Sequence, residues 1–377
     1  MSTTRALPVS GCAVWLPALA LALAGSAARA ETRGYAISMV HTATYAEAGN
    51  CPSGGNGSTT EIHVKILMGQ GYSRDQAVKM LTGNERKLDF DRRGHLYGQA
   101  VDVGDFPTSV PDDHIETVQG AGTGHYMVGF NLAGRVTPDS FEDPETHEMV
   151  QNQMWRVLGC FTAYQYKSPA IPPYNEGIAW DTAMDSMPAW LLSLSGDDLS
   201  RDGAVTVTFD RSLDILMRNR HGGVLAGSSY TIDPDRRNHN VFKGHIKDRV
   251  LTIEPGNFFM QGESQFFALL RFTEAHLRLK LNDDGSLAGI IGGYQPWLDY
   301  YHYVSIRGDE DSEVDIPGVY YAMKRLADGV PDASGQNTAI SAAYYLEAVP
   351  AYVLERSGKV IGTAYVNGAP LHGATRP

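Results

Sequence analysis

The stretch of sequence best suited to chemistry is an acidic run, DEDSEVD, from Asp309 to Asp315. Alternate residues of an extended strand share one face, which would group Asp309, Asp311, Glu313 and Asp315. Clustered carboxylates repel one another unless water or a cation separates them, and oxygen-rich clusters suit Ca²⁺. The run therefore predicts either a Ca²⁺ site, with Asp309, Asp311 and Glu313 as ligands, or a solvated acidic loop.

The same run contains Glu313-Val314-Asp315-Ile316, which resembles part of the E-[IV]-D-x-x-E motif of the jelly-roll glycoside hydrolases that cleave β-glucans. The resemblance implies glycoside hydrolysis, with Glu313 as the nucleophile and Asp315 assisting it. The third carboxylate of that motif, the acid/base, has no counterpart, because the sequence continues with PGV. Since retaining hydrolysis requires two carboxyl groups roughly 5–5.5 Å apart, Glu313 and Asp315 are candidate catalytic residues of an incomplete set.

An aromatic run lies just before the acidic one. It consists of Tyr294, Trp297, Tyr300, Tyr301, His302 and Tyr303. Such rings offer an apolar face and a polar tip, so five of them (all but His302) are candidate ligand-binding residues that would stack on a flat or sugar-like molecule. The alternative is a sheet corner packed by aromatic side chains, since aromatic residues are common in strands.

The clearest hairpin of the chain leads into these rings. Leu277, Leu279 and Leu281 alternate with Arg278 and Lys280, which is the period of a half-buried strand. An Asp-Gly pair follows, and it favours a tight turn. The pattern predicts two antiparallel strands that present the aromatic run on a sheet.

The remaining motifs mainly exclude classes of enzyme and of metal site. His239 and His245 flank a predicted strand and could share one face as metal ligands, but a spacing of six residues is not a familiar ligand pattern. The chain has no GxSxG, HExxH or GxxxxGK[ST] motif. The common serine-hydrolase, zinc-protease and nucleotide-binding signatures are therefore missing.

The N-terminus has the pattern of an export signal. Arg5 precedes the apolar segment VWLPALALALA, and Ala28-Arg29-Ala30 is a cleavage site of the A-x-A type. We expect cleavage near Ala30 and a secreted or periplasmic protein. The formal net charge of −12 argues against nucleic acid as a partner, and no later apolar run reaches the ~20 residues of a membrane-spanning helix.

Two cysteines, Cys51 and Cys160, remain after the expected cleavage. In an oxidising compartment, two cysteines most simply form one disulfide. Metal-binding or redox-active thiols are the alternative, although the sequence contains no CxxC motif. The disulfide would join a Gly-rich loop to a helix.

Helical signals concentrate in the first half of the mature chain. Ser73-Arg74-Asp75-Gln76 is a capping box before an apolar stripe. Asp143-Pro144-Glu145 could begin a longer helix that continues to about residue 165 and carries Cys160. We therefore predict a mainly helical N-terminal region.

Beyond Pro173 the pattern changes to short strands at close spacing, which is typical of a sandwich or a barrel. The predicted fold class is α+β, with a small helical N-terminal region and a large antiparallel sheet domain that is sandwich-like or barrel-like. Four segments follow: a signal peptide (1–30), a helical region closed by the disulfide (31–170), a β-rich domain (171–360) and a tail (361–377).

The sequence leaves three functions open. The first is a non-enzymatic ligand-binding or accessory protein of the cell envelope that uses the aromatic surface. Its partner would be a small molecule, a glycan or another envelope protein. The second is a secreted glycan hydrolase with carboxylates near Glu313 and Asp315, and the third is a structural subunit of a secreted complex.

Overall fold

The computed structural model describes residues 1, 31–43, 64, 67–69, 71–82, 124–161, 164, 174–263, 266–307 and 316–371. Its helices are α1 Arg74–Thr82, α2 Gln153–Leu158, α3 Tyr174–Ala183, α4 Trp297–Arg307 and α5 Ile316–Leu326, with a 3-10 turn at Arg236–Asn238. Its long strands are β1 Glu31–Thr42, β4 Pro188–Gly196, β5 Gly203–Ile215, β7 Asn240–Lys247, β9 Gly256–Glu263, β10 Phe266–Leu281, β11 Leu287–Pro296 and β13 Asn337–Pro350. Its short strands are β2 Phe141–Glu142, β3 Met149–Val150, β6 Ser229–Thr231, β8 Val250–Ile253, β12 Gly329–Pro331, β14 Tyr352–Leu354, β15 Val360–Gly362, β16 Tyr365–Val366 and β17 Ala369–Pro370.

Eight antiparallel strands close into a barrel in the order β1-β4-β5-β7-β8-β10-β11-β13. The circle closes because β1 pairs with β13, with Tyr35 opposite Pro350 and Thr42 opposite Tyr344. Strand β9 continues the wall by pairing with the first half of β10. The first and last long strands of the described chain are therefore neighbours.

The barrel forms because its strands alternate between two environments. In β5, Val205, Val207 and Phe209 are buried, whereas Ala204 and Thr206 are exposed. Eight strands give an interior that side chains can fill. Large buried side chains from all sides meet there, including Ile37, Leu192, Phe209, Phe242, Leu251, Phe258, Leu279, Ile291 and Leu346.

These observations correct the predicted fold class in part. The antiparallel, barrel-like sheet is confirmed, but the α+β class with a helical N-terminal region is not. Strand β1, from that region, is itself a wall of the barrel. Among the described residues, no helix combines the length and apolar character needed to cross a membrane.

The capping box at Ser73 is formed as predicted. The Ser73 amide donates to Gln76 Oε1 at 2.8 Å, and the Gln76 amide donates to Ser73 Oγ at 3.2 Å. Helix α1 follows directly. A local pattern was sufficient here because both partners lie within one turn.

The predicted long helix at Asp143 is wrong. Asp143 Oδ1 does accept hydrogen bonds from the amides of Glu145 and Thr146, as a helix cap would. His147 then adopts a φ of 59°, which a right-handed helix does not allow. The Asp143 amide donates to the Glu148 carbonyl, so the segment is the turn between β2 and β3, and helix α2 begins only at Gln153.

A buried polar contact fixes helix α2 to the barrel. The Gln153 amide donates to Ser341 Oγ at 2.9 Å, and Ser341 Oγ donates to Asp328 Oδ2 at 2.7 Å. The Ser341 amide donates to the other oxygen of the Asp328 carboxylate. Burial raises the pKa of Asp328 to about 6 despite these hydrogen bonds.

We expect Asp328 to make stability fall as pH rises from about 4 to about 6. The native state holds this proton more tightly than the unfolded chain, whose aspartates titrate near pH ~3.9. The stabilising effect is thus complete below pH ~3.9 and is lost as pH rises through the native pKa. Urea unfolding of the wild type and of Asp328→Asn across this range measures it, and parallel pH profiles for the two proteins would refute it.

Candidate functional site

The predicted catalytic and metal residues cannot be placed. Asp309, Asp311, Glu313 and Asp315 all lie outside the described residues. The Ca²⁺ site and the resemblance to the β-glucan hydrolases therefore stay predictions. Within the described part of the chain, no group of three or more His, Cys, Asp or Glu side chains could hold a metal ion.

The predicted aromatic surface is not formed. The run lies mainly on helix α4, where the exposed fractions of Trp297, Tyr300, Tyr301 and Tyr303 are 8%, 1%, 0% and 5%. Trp297 and Tyr301 both pack edge-on against Tyr320 of α5, with ring centroids 5.1 and 5.0 Å apart. These four residues are core side chains, and the exposed stacking wall expected of them is wrong.

Tyr294 is the one member of the run that remains on the sheet. It lies on the outward face of β11, two residues before the end of the strand, and is half-buried. Burial raises its pKa to about 12, with Asp328 adding to the effect. It does not adjoin the other rings in a common exposed surface.

The two histidines of the possible metal pair are separated. His239 Nδ1 lies 2.7 Å from Asp210 Oδ1, while His245 lies six residues farther along the same extended chain. At about 3.3 Å per residue, that spacing places them roughly 20 Å apart. They do not form one site.

Only one of the two cysteines of the predicted disulfide lies in the described part of the chain. Cys160 is 4% exposed and has no free thiol, but Cys51 lies outside the described residues. The Cys51–Cys160 pairing therefore stays a prediction.

A pocket of about 760 Å³ opens on the outside of the barrel, and we call it the wall pocket. Residues of β8, β10, β11 and β13 form its floor, and residues 128 and 144–146 lie at its side. It is lined by Val128, Pro144, Glu145, Thr146, Val250, Arg278, Lys280, Ala288, Gly289, Ile290, Tyr345 and Glu347.

Strand register assembles the floor of the wall pocket. Arg278 pairs with Ile290, and Ile290 pairs with Tyr345. One step along, Lys280 pairs with Ala288, and Ala288 pairs with Glu347. These outward-facing residues form two parallel rows across three strands, because alternate residues of neighbouring strands share a face.

Arg278 is fixed at the edge of the wall pocket by a buried carboxylate. Its Nη2 atom lies 2.7 Å from Asp143 Oδ2, and the Asp143 side chain is 0% exposed. Burial by itself raises the pKa of Asp143, but hydrogen bonds from Arg278 and from two backbone amides outweigh burial and hold the pKa below its usual value. The Asp143 carboxylate is therefore charged at neutral pH, and its hydrogen bond holds the Arg278 side chain in one orientation.

Aromatic contacts support this wall beside the pocket. The Phe130 ring stacks on His276 with centroids 5.3 Å apart, and the Arg278 guanidinium lies 5.9 Å from the same ring. Burial lowers the pKa of His276, which keeps its ring neutral at pH 7. The cation beside the Phe130 ring is therefore Arg278 and not His276.

The wall pocket combines an apolar floor with a few charged groups at its edges. Ile290 and Val128 are buried there, whereas Lys280, Glu145 and Glu347 are exposed. Binding sites for small molecules are typically apolar clefts with a few convergent polar groups. The arrangement suits a ligand with an apolar body and a polar head.

Sequence reasoning found part of this site. The alternation in β10 placed Arg278 and Lys280 on the outward face, but it gave no sign that Tyr345 and Glu347 lie two strands away. Asp143 was interpreted as a helix cap. Its amide hydrogen bonds fit that role, and its long-range partner Arg278 has no local sequence signal.

Comparison of the whole chain with protein-family models, with curated proteins and with solved structures finds no match.

Proposed function

We propose that this protein is an exported binding protein that holds a small amphipathic molecule in the wall pocket. The observation that carries the proposal is the fixed Arg278 guanidinium beside an apolar floor. Export rests on the N-terminal signal pattern, which lies outside the described residues.

The charges of the wall pocket narrow the ligand class. Arg278 lies at the floor, and exposed Lys280 lies on the same strand and the same face. Both are hydrogen-bond donors only. Arg278 already pairs with Asp143, so Lys280 supplies the uncompensated positive charge, two strands away from Glu347. This side of the pocket therefore favours a head group that accepts hydrogen bonds, such as a carboxylate. The apolar floor favours an alkyl or aromatic body, since burying apolar area contributes roughly 25 cal/mol per Å².

Filling the wall pocket is expected to weaken binding at least about tenfold, or 1.4 kcal/mol. Ala288→Trp places an indole over the floor. The probes are decanoate, decanol and decylamine, measured by isothermal titration calorimetry below their micelle concentrations. We expect decanoate to bind most tightly and decylamine most weakly.

Ala204→Trp is the matched control, because Ala204 is an outward-facing and exposed residue of β5. It should leave decanoate affinity unchanged. The proposal fails if none of the three probes binds the wild type, or if Ala288→Trp binds decanoate as tightly as Ala204→Trp does.

One observation supports hydrolysis as a second candidate function. Glu145 and Glu347 line the same pocket beside Tyr345, and glycoside hydrolysis needs a pair of carboxyl groups across the scissile bond. Glu347 is exposed to solvent at the pocket, yet desolvation by the atoms around its carboxyl raises its pKa. A carboxyl group with a raised pKa is suited to act as a general acid.

If the protein is a hydrolase, Glu347→Gln should reduce turnover by more than about 100-fold. The measurement is release of reducing sugar from the β-glucans laminarin and lichenan. Glu254→Gln, an exposed glutamate elsewhere on the barrel, is the matched control. Absence of release by the wild type would refute hydrolysis of these glucans and leave the binding proposal standing.

A further inference from the structure

A second cavity, of about 590 Å³, lies on another side of the barrel. We call it the hydroxyl pocket, and it lies between Ser193, Thr208, Asp210, Ile232, His239 and Ile361. Its floor is the outward face of β1, β4 and β5. It shares no lining residue with the wall pocket.

Strand register brings four hydroxyl groups together on this floor. Thr32 pairs with Ser195, and their hydroxyl oxygens are 2.9 Å apart. Ser193 pairs with Thr208 one step along. Neither the Ser193 nor the Thr208 hydroxyl has a hydrogen-bond partner within the described part of the chain, although Ser193 is only 8% exposed. Neither oxygen is among the fully buried side-chain atoms that lack a partner, so both hydroxyls are open to the pocket and available to a ligand.

An oriented histidine stands beside these hydroxyls. The Asp210 side chain is 5% exposed and lies 2.7 Å from His239 Nδ1. Burial raises the pKa of Asp210, and the hydrogen bond from His239 opposes that effect. Because Nδ1 is occupied by Asp210, Nε2 is the ring atom left to meet a ligand.

The strand spacing argues against a serine-type catalytic triad. Ser193 lies on β4 and His239 immediately precedes β7, with β5 between them. Neighbouring strands are about 4.8 Å apart, so the two residues are separated by roughly 10 Å or more. A nucleophile and its base need hydrogen-bond distance, and this pair does not meet that condition.

Charges of both signs line the remaining wall. Arg236 and Arg356 are exposed there, and so is Glu355, while Asp233 is half-buried. An anionic ligand would meet these two carboxylates, and a cationic ligand would meet the two guanidinium groups. A neutral ligand that both donates and accepts hydrogen bonds avoids either conflict.

We propose that the hydroxyl pocket binds a neutral polyhydroxylated molecule, a mono- or disaccharide, at a site separate from the wall pocket. The Ser193 and Thr208 hydroxyls contact sugar hydroxyls, and the His239–Asp210 pair orients one of them. Since the two pockets share no residue, this inference does not depend on the proposed amphipathic ligand.

The test begins with the wild-type protein. Glucose, N-acetylglucosamine and maltose are the neutral probes, and glucosamine and gluconate are their charged counterparts. Binding is followed by NMR of the histidine ring signals and by calorimetry. We expect at least one neutral sugar to shift the His239 signals while those of His245 stay in place, and the charged counterparts to bind at least about tenfold more weakly.

Two valine substitutions on one strand provide the matched pair. Thr208→Val should weaken binding of that sugar at least about tenfold, whereas Thr206→Val, two residues away on the same outward face, should not. The proposal is overturned if no neutral sugar binds, if a charged counterpart binds more tightly, or if both valine variants keep wild-type affinity. The wild-type titration alone decides whether a neutral sugar binds. The proposal can therefore be refuted even if a variant fails to fold.

Discussion

Replacing Asp143 by alanine is expected to lower the free energy of unfolding by about 3–5 kcal/mol, the cost of removing one partner of a buried ion pair. The Asp143 carboxylate is fully buried and pairs with Arg278, which is 17% exposed. Two backbone amides also donate to it. The substitution therefore leaves a largely buried guanidinium and two amides without their acceptor. Urea unfolding followed by circular dichroism measures the loss.

The matched control is Asp283→Ala. Asp283 also pairs with an arginine, Arg249, but it is 94% exposed. Exposed pairs contribute roughly 0.2–1 kcal/mol, so this variant should unfold close to the wild type. Equal losses for the two variants would contradict a special contribution from burial at Asp143.

Acid should reproduce part of the effect of Asp143→Ala. The pKa of Asp143 lies below its usual value in the native state, so its contribution is complete above the unfolded value of ~3.9 and is lost as pH falls through the native pKa. Asp328, whose pKa is raised to about 6, acts with the opposite slope and at higher pH. The two carboxylates can therefore be separated in one pH series.

The second large effect is expected at Asn240, where Asn240→Leu should destabilise the protein by about 2–6 kcal/mol. The Asn240 side chain is 8% exposed and links β7 to β9, two strands that share no backbone pairing within the described part of the chain. Its Nδ2 donates to the Phe259 carbonyl at 2.9 Å, and its Oδ1 accepts from the Phe259 amide at 2.9 Å. Leucine keeps similar volume but leaves both groups of Phe259 unpaired, at about 1–3 kcal/mol each.

Asn238 makes a related contact two residues earlier, with one backbone and one side-chain partner. Its Oδ1 accepts from the Gln261 amide at 2.8 Å, and its Nδ2 donates to Gln261 Oε1 at 3.1 Å. Asn240 thus replaces a pair of backbone ladder bonds between β7 and β9, and Asn238 adds a further link to β9 from the turn before β7. Asn257→Leu, at an exposed position of β9, is the control, and a loss at Asn240 no larger than at Asn257 would show that these bonds contribute little.

Local patterns predicted the parts of the fold whose partners are close in sequence. The predicted hairpin of β10 and β11 is formed, with Leu279 opposite Gly289. Its turn contains Gly285 with a φ of 89°, a conformation that glycine tolerates well. The turn between β7 and β8 is equally local, since Lys247 pairs with Val250 across Asp248 and Arg249, which both have positive φ. In each case a few adjacent residues fix the backbone, so no distant contact is needed.

The aromatic run has the spacing of a helix, although a strand was predicted for it. Trp297, Tyr300 and Tyr301 are spaced i, i+3 and i+4, which is the period of a helix face, and the structure places them on α4. The prediction of an exposed stacking surface was based on the density of rings and on the preference of aromatic residues for strands. The spacing was the better signal, because residues so placed share one face of a helix, and here that face is buried against α5.

The sequence by itself determined the alternation of the strands, the positions of the tight turns and the cap of α1, since each depends on residues within a few positions of one another. It also placed Arg278 and Lys280 on the outward face of their strand. Tertiary structure alone decided that β1 closes the barrel against β13, that Asp143 neutralises Arg278, and that Ser193 and Thr208 lie side by side. A period shows which face of a strand is buried, but the partner that covers that face is fixed by packing among segments far apart in the chain.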